Sequence, residues 1–288
     1  MKLSRLLRSE DARQTLDLTL RLTQRSVSSE FKGTALGRLW SFINPLATIA
    51  IFALIFGVVF RNGVPPGRNS GIDSFALWIG IGVLSWTFFS SGIMASMNAL
   101  VYNSGLLTKV YFPRQVLIYS AVLSLAVDFA FELLVLVIIA MILGGPGVLA
   151  MIPALLVVTV LVGMFAVGLG LMLSIATVYF RDLGHLWQIF NQMWMYASGV
   201  VFPLTMVNKV QNDLFDKGWQ VNGGPIPLTT ILRLNPAETY LEAFRSCLYD
   251  FALPSLPVFL ACLGWAVVML SLGLVFFRRH SASIVEEL

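Results

Sequence analysis

The chain has 288 residues, of which 57% are hydrophobic and only 12% charged, and its formal net charge is +4. A mean hydropathy of +0.82 excludes an ordinary soluble domain and indicates an integral membrane protein. The low charge content agrees, because a charge at the bilayer centre costs about 2.5–3.5 kcal/mol and a membrane protein therefore keeps its charges in loops. The polar stretches are too short for a nucleic-acid-binding domain, so the basic excess is better explained by membrane orientation.

The first 44 residues predict a cytoplasmic interface segment. Leu16, Leu20, Val27 and Phe31 share one face of a helix, whereas the leucines at even positions from 16 to 22 alternate as in a strand. An isolated strand beside a membrane has no pairing partner. We therefore expect an amphipathic helix that lies in the membrane surface.

Six apolar segments follow, and each approaches the roughly 20 residues that a membrane-spanning helix requires. They predict an all-α integral membrane protein, with a six-helix transmembrane domain over residues 45–278 and a cytoplasmic tail over 279–288. The predicted spans are Pro45–Phe60, Phe75–Leu100, Gln115–Leu143, Met151–Val178, Leu186–Val207 and Leu256–Phe277. The first is the shortest, and its helix is expected to begin earlier, near Trp40.

The distribution of lysine and arginine predicts the orientation of these spans. Thirteen lysine and arginine residues lie in the N-terminal segment, the tail and the loops after spans 2 and 4, whereas six lie in the loops on the opposite side. Because cytoplasmic loops carry the excess of positive charge, both termini are predicted to be cytoplasmic.

Residues 208–254, between spans 5 and 6, form the longest loop on the outer side. Asn235, Pro236 and Glu238 have the order typical of a helix start: a capping side chain, a proline and an acidic residue in the first turn. An apolar helical face follows, formed by Tyr240, Leu241, Phe244 and Leu248. We expect short re-entrant helices here; the alternative is a helix lying flat on the outer leaflet.

Two acidic residues, Asp128 and Glu132, lie four apart in span 3. Carboxyl groups within spans are costly and often functional, so they are candidates for a proton or cation relay. The alternative is a structural pair that faces the bundle interior.

Aromatic and small polar residues recur at helical spacing in spans 1, 2 and 5. Such faces are suited to sugars, since aromatic rings stack on the apolar faces of pyranoses while polar groups bind hydroxyls; they are equally typical of lipid-facing or core aromatics. The residues are Phe52, Phe56, Trp78, Ser85, Phe89, Trp187, Phe190, Asn191, Trp194 and Ser198.

The sequence lacks the usual signatures of an enzyme. It contains no Gly-x-x-x-x-Gly-Lys-Ser/Thr phosphate loop, no His-Glu-x-x-His zinc helix and no Gly-x-Ser-x-Gly elbow. The two histidines are far apart, and Cys247 and Cys262 have no metal-ligand spacing. We therefore expect no catalytic residues and no metal site in this chain.

Four short segments, in this order on six spans, carry a resemblance to a known family. They are Phe31–Trp40 with Pro45, Leu107–Arg114, Phe180–Leu183, and Leu234–Pro236 with Arg245. With them, the chain resembles the membrane subunit of type 2 ABC polysaccharide exporters, which serve O-antigen, capsule, teichoic acid and galactan. One departure is Phe31, where a tyrosine is expected.

The resemblance implies a permease in the plasma or inner membrane of a bacterium that moves a lipid-linked polysaccharide out of the cytoplasm. Two copies would form a channel, and each would bind a separate ATPase subunit that holds the ATP and magnesium, so this chain would need no cofactor. Coupling to the ATPase would fall to Arg25, Glu30, Lys32, Thr108, Lys109, Val110, Tyr111, Pro113 and Arg114.

The resemblance also implies that spans 1, 2 and 5, with the aromatic residues named above, line the channel. The gate at its outer mouth would be Asn235, Pro236, Glu238, Tyr240 and Arg245. Three alternatives remain open at this point: an ABC exporter of a small hydrophobic drug or lipid, an ion-coupled carrier that uses Asp128 and Glu132, and a lipid-modifying membrane enzyme.

Overall fold

The computed structural model describes residues 2–30, 32–59, 64–107, 112–180, 182–221 and 224–281, and the side chains of residues 2–12, 58, 59, 221 and 224 lie outside that description. Within these ranges the regular structure is helical apart from one antiparallel pair of two-residue strands, β1 (Gln220–Val221) and β2 (Gly224–Pro225). The prediction of an all-α protein is therefore confirmed in its main feature.

The helices follow one another along the chain with short connections. They are α1 (Lys2–Ser29), α2 (Trp40–Phe52), α3 (Phe75–Tyr102), α4 (Ser104–Leu107), α5 (Gln115–Gly144), α6 (Ile152–Tyr179), α7 (Leu183–Tyr196), α8 (Leu204–Asp216), α9 (Leu228–Arg233), α10 (Pro236–Leu248) and α11 (Leu256–His280). Helix α2 continues as a π-helix over Ala53–Val59, and 3-10 turns precede α2 and α6 at Gly37–Leu39 and Pro146–Met151.

Five helical stretches in the described part of the chain are long and apolar enough to cross a membrane. They are Gly37–Gly57, Phe75–Tyr102, Gln115–Gly144, Pro146–Tyr179 and Leu256–His280. They correspond to the predicted spans 1, 2, 3, 4 and 6. As expected, the first begins before Pro45.

The predicted span over Leu186–Val207 is not one continuous helix, and this expectation was wrong. Helix α7 ends at Tyr196, an irregular turn occupies residues 197–203, and α8 begins at Leu204. Gly199 has φ +61°, a left-handed conformation that interrupts a helix. Pro203 directly precedes α8 in an extended conformation. The apolar composition of the segment, from which the span was predicted, does not reveal this break.

Helix α3 lies at the centre of the bundle and packs against α5 and α6, while α6 also packs against α11. The backbones of α6 and α11 approach closely at Gly168 and Gly273, where a Cβ on Gly273 would overlap the carbonyl group of Gly168. Small residues allow this close approach, which replaces side-chain contact with backbone contact.

Helix α1 confirms the prediction of a helix over a strand, and it packs along α5. The side of α1 that faces the protein carries Thr19 and Thr23, which are buried, whereas Leu16 and Leu20 are 60% and 49% exposed. The exposed leucines are thus free to face the membrane surface or a partner.

Candidate functional site

Helix α10 begins as the sequence predicted. The side chain of Asn235 accepts a hydrogen bond from the backbone N–H of Ala237 at 3.0 Å, Pro236 is the first helical residue, and Glu238 lies in the first turn. Proline costs nothing at this position because the first N–H groups of a helix have no intrahelical partner.

The Asn235 side chain also ties α10 to the end of α7. Trp194 Nε1 donates to Asn235 Oδ1 at 2.8 Å, and Asn235 Nδ2 donates to the carbonyl of Ala197 at 3.0 Å and to Ser198 Oγ at 2.9 Å. The structure thereby joins one residue predicted for the gate to two predicted for the channel. Sequence reasoning placed them in separate sets.

Arg245 binds the turn that separates α7 from α8. Its guanidinium donates from Nη1 to the carbonyl of Gly199 at 3.0 Å and from Nη2 to the carbonyl of Val200 at 2.9 Å. Its Cζ lies 3.6 Å from the centroid of the Trp78 ring, within cation–π range. A single buried side chain of α10 therefore holds the 197–200 backbone against α3.

Glu238 is buried beside the same turn, with its carboxyl group next to the α-carbon of Gly199. Its Oε2 atom has no hydrogen-bond partner in the described part of the chain. Burial raises the pKa of Glu238 to about 8, an effect that the positive charge of Arg245 partly opposes. The carboxyl group is thus held largely in its neutral form near neutral pH.

An aromatic cluster surrounds this junction, consisting of Trp86, Phe89, Phe165, Trp194 and Tyr240. The ring centroids of Phe89 lie 5.2 Å from both Trp194 and Phe165, and Trp86 lies 6.1 Å from Trp194. The Tyr240 hydroxyl donates to the carbonyl of Cys262 at 3.0 Å, which links α10 to α11. Sequence reasoning missed Trp86 and Phe165; for Trp86 the signal was its spacing of three from Phe89.

The residues predicted for the channel wall do not share one environment. Trp78, Ser85 and Phe89 of α3 are buried inside the chain, at 7%, 3% and 2% exposure. Phe190 of α7 is exposed, and Phe52 stacks on Phe56 with centroids 6.0 Å apart. Their assignment to a channel stays a prediction.

Unsatisfied polar atoms accompany these aromatic rings. Ser85 Oγ, Trp187 Nε1 and Asn191 Oδ1 are buried without a hydrogen-bond partner among the described residues, whereas Asn191 Nδ2 donates to Ser90 Oγ at 2.6 Å. A buried polar atom without a partner costs about 1–3 kcal/mol. These atoms would gain hydrogen bonds if a hydroxyl-rich ligand reached them.

Asp128 and Glu132 lie on α5, which is the predicted span 3, and both are half-buried. The structure adds two neighbours that sequence reasoning missed, since the Asp128 carboxyl lies near the side chains of Glu30 and Arg38. No group of three or more histidine, cysteine or acidic side chains within the described ranges is arranged to hold a metal ion.

The predicted coupling residues fall in two places. Arg25 of α1 lines a cavity of about 360 Å³ with Tyr102 and Asn103, at the point where α3 ends. Glu30 and Lys32 follow α1, and Pro113 and Arg114 directly precede α5. Thr108, Lys109, Val110 and Tyr111 lie outside the described residues.

Comparison with known proteins finds a matching family model and several similar proteins. A sequence model for the ABC-2 type transporter family matches residues 17–212, which run from α1 to α8. The chain is also 27% identical over 272 residues to the O-antigen export system permease protein RfbA of Myxococcus xanthus, covering 94% of this chain and 95% of that protein.

Two further relatives are matched over shorter stretches. The O-antigen export system permease protein RfbA of Klebsiella pneumoniae is 24% identical over 66% of this chain and 71% of its own length. The capsule polysaccharide export inner-membrane protein CtrC of Neisseria meningitidis serogroup A is 26% identical over 63% of this chain and 66% of its own length.

Proposed function

The chain belongs to the ABC-2 type transporter family, and we propose from this that it is the permease subunit of an exporter of lipid-linked polysaccharide. The observation that carries the proposal is the similarity to the Myxococcus xanthus permease over nearly the full length of both chains. That length includes α10, which lies beyond the segment matched by the family model, and the turn at residues 197–203 that α10 holds, which lies within that segment.

ATP hydrolysis is assigned to a separate cytoplasmic subunit, which would also hold the nucleotide and its magnesium. The coupling surface on this chain is formed by the end of α1, with Arg25, Glu30 and Lys32, and by residues 108–114. Arg25 lines the cavity where α3 ends. A movement of this surface would therefore be transmitted to α3, the central helix of the bundle. In this orientation both termini are cytoplasmic.

A second copy of the chain would complete the channel. Helix α7 has no buried residue in the single chain and carries a run of exposed apolar side chains, which suits it to face a partner rather than water. These side chains are Leu186, Ile189, Phe190, Met193 and Tyr196. Trp187, Asn191 and Trp194 on the same helix offer rings and polar atoms to a glycan.

Helix α10 would serve as the outer gate because it holds the break between α7 and α8 in place. Asn235 and Arg245 bind the 197–200 backbone, so a shift of α10 would move the end of α7. The aromatic cluster would move with it, since it contains Trp194 of α7 and Tyr240 of α10.

The test is to deplete the protein from its native host and measure lipid-linked glycan on each side of the membrane. We expect the glycan to accumulate inside and to disappear from the outer surface, and re-expression to restore it. Unchanged pools on both sides would contradict the proposal and favour an exporter of a small hydrophobic compound or lipid.

An ion-coupled carrier predicts a different result. Export by such a carrier would persist when ATP is depleted and stop when the proton gradient is collapsed. The proximity of Asp128 to Arg38 favours a structural role for this carboxyl group, because Arg38 belongs to the segment before α2 and Asp128 belongs to α5.

A further inference from the structure

A cavity of about 400 Å³ opens between the first turn of α5 and the last turn of α11. Its lining residues include two arginines, Arg114 and Arg278, and two phenylalanines, Phe112 and Phe277. The volume lies in the range of small-molecule sites. This composition is amphipathic, with positive charge and apolar surface side by side.

The positive charge of this cavity is not neutralised by its own walls. None of the described lining residues is acidic. Arg114 Nη1 is buried without a hydrogen-bond partner in the described part of the chain, and Arg278 is exposed at the opposite wall. A guanidinium donor that is buried and unpaired is costly, so an anion that accepts its hydrogen bond would be bound favourably.

The position of the cavity limits what the anion is. Helices α5 and α11 are both long enough to cross the membrane, and the cavity lies where one begins and the other ends. It therefore lies at the level of the bilayer surface, where phosphate groups of lipids are concentrated. With the orientation proposed above, this is the cytoplasmic leaflet, which is rich in anionic lipid.

We propose that this cavity binds the phosphate of an anionic phospholipid headgroup. Arg114 and Arg278 bind the phosphate oxygens, and Phe112 and Phe277 contact the glycerol and upper acyl chain of the same lipid. The bound lipid lies directly beside Pro113 and Arg114, so it would stabilise this part of the coupling surface. The inference rests on the orientation proposed above, and its test is independent of which cargo is exported.

The experiment uses the full-length protein in nanodiscs of phosphatidylcholine, titrated with short-chain phosphatidylglycerol, with bound lipid measured by native mass spectrometry. We expect Arg114→Gln combined with Arg278→Gln to weaken phosphatidylglycerol binding at least tenfold. Arg279→Gln is the matched control, because it removes the same charge at the same membrane level from a residue that does not line the cavity. This control should change binding less than twofold.

Several results would overturn the proposal. They are equal weakening by Arg279→Gln, no weakening by the double variant, or displacement of the lipid by millimolar inorganic phosphate. Strengthened binding after Glu286→Gln and Glu287→Gln would mean that residues 282–288 of the chain fill the cavity. Release of the bound lipid on addition of the purified ATPase subunit would assign the cavity to that partner. If the double variant fails to fold, the exposed Arg278→Gln alone should still weaken binding several-fold.

Discussion

Arg245 and Glu238 are two ionisable side chains of one short helix, yet their environments differ. The guanidinium of Arg245 donates from Nη1 and Nη2 to two carbonyl groups and lies over the Trp78 ring, so it fixes backbone geometry, while its Nε has no partner among the described residues. The carboxyl of Glu238 lies beside Gly199 with one oxygen unpaired. Its burial therefore makes the stability of α10 sensitive to protonation.

We expect this sensitivity to appear as a pH-dependent effect of Glu238→Gln. The pKa of Glu238 rises from 4.5 to about 8 on folding. Because the folded protein keeps this proton through that window while the unfolded chain loses it, the unfolding free energy falls as pH rises from about 4.5 to 8. The variant lacks this loss, so it should be more stable than the wild type at pH 8 and similar at pH 5.

The measurement is the thermal unfolding midpoint of both proteins in detergent at pH 5 and pH 8. Each pKa unit corresponds to about 1.4 kcal/mol, so the gain at pH 8 should amount to a few kcal/mol at most. Glu242→Gln is the control, since Glu242 lies one turn further along α10 and is only half-buried. An equal effect of Glu238→Gln at both pH values would contradict the assignment.

At the scale of elements, the close crossing of α6 and α11 is set by two glycines. A Cβ on Gly273 would overlap the backbone of Gly168, and neither backbone can move without separating the helices. Gly264 lies in the same helix α11, but a Cβ there would have no atom within 4 Å. The two positions therefore separate the effect of crowding from that of helix propensity.

We expect Gly273→Ala to destabilise the protein by about 1–3 kcal/mol, the usual cost of overpacking. Gly264→Ala should be neutral or stabilising, because alanine is favoured over glycine in helices by about 0.8–1.0 kcal/mol. Unfolding midpoints in detergent test both changes. A crossing that tolerates the Gly273 variant as well as the Gly264 variant would show that α6 and α11 separate readily.

At the scale of the molecule, the break between α7 and α8 raises the question of which side of the membrane α8 lies on, and cysteine labelling tests this. Both native cysteines, Cys247 and Cys262, are fully buried, so the wild type should react little with an impermeant maleimide. With the proposed orientation, Asp213→Cys in α8 should be labelled in intact spheroplasts. Ser28→Cys at the end of α1 should be labelled only after permeabilisation.

Labelling of both variants only after permeabilisation would place α8 on the cytoplasmic side. Helices α7 and α8 would then return to the side from which they started, and the number of crossings would be five. Both positions are exposed in the described structure, so a failure to react would not result from burial in the protein.

The sequence by itself determined the membrane class, four spans to within a few residues, the early start of the first span and the start of α10. It could do so because long apolar runs and helix caps are local signals. The family resemblance from short segments was also correct.

Only the tertiary structure decided that the fifth apolar segment is broken and that Trp194, Asn235, Trp78 and Arg245 meet at that break. Hydropathy counts apolar residues but does not register a left-handed glycine within an apolar run. Contacts between residues 41 and more positions apart depend on how the helices pack, and no local pattern encodes that. The neighbours of Asp128 could not be predicted for the same reason, since Glu30 and Arg38 come from outside the predicted spans.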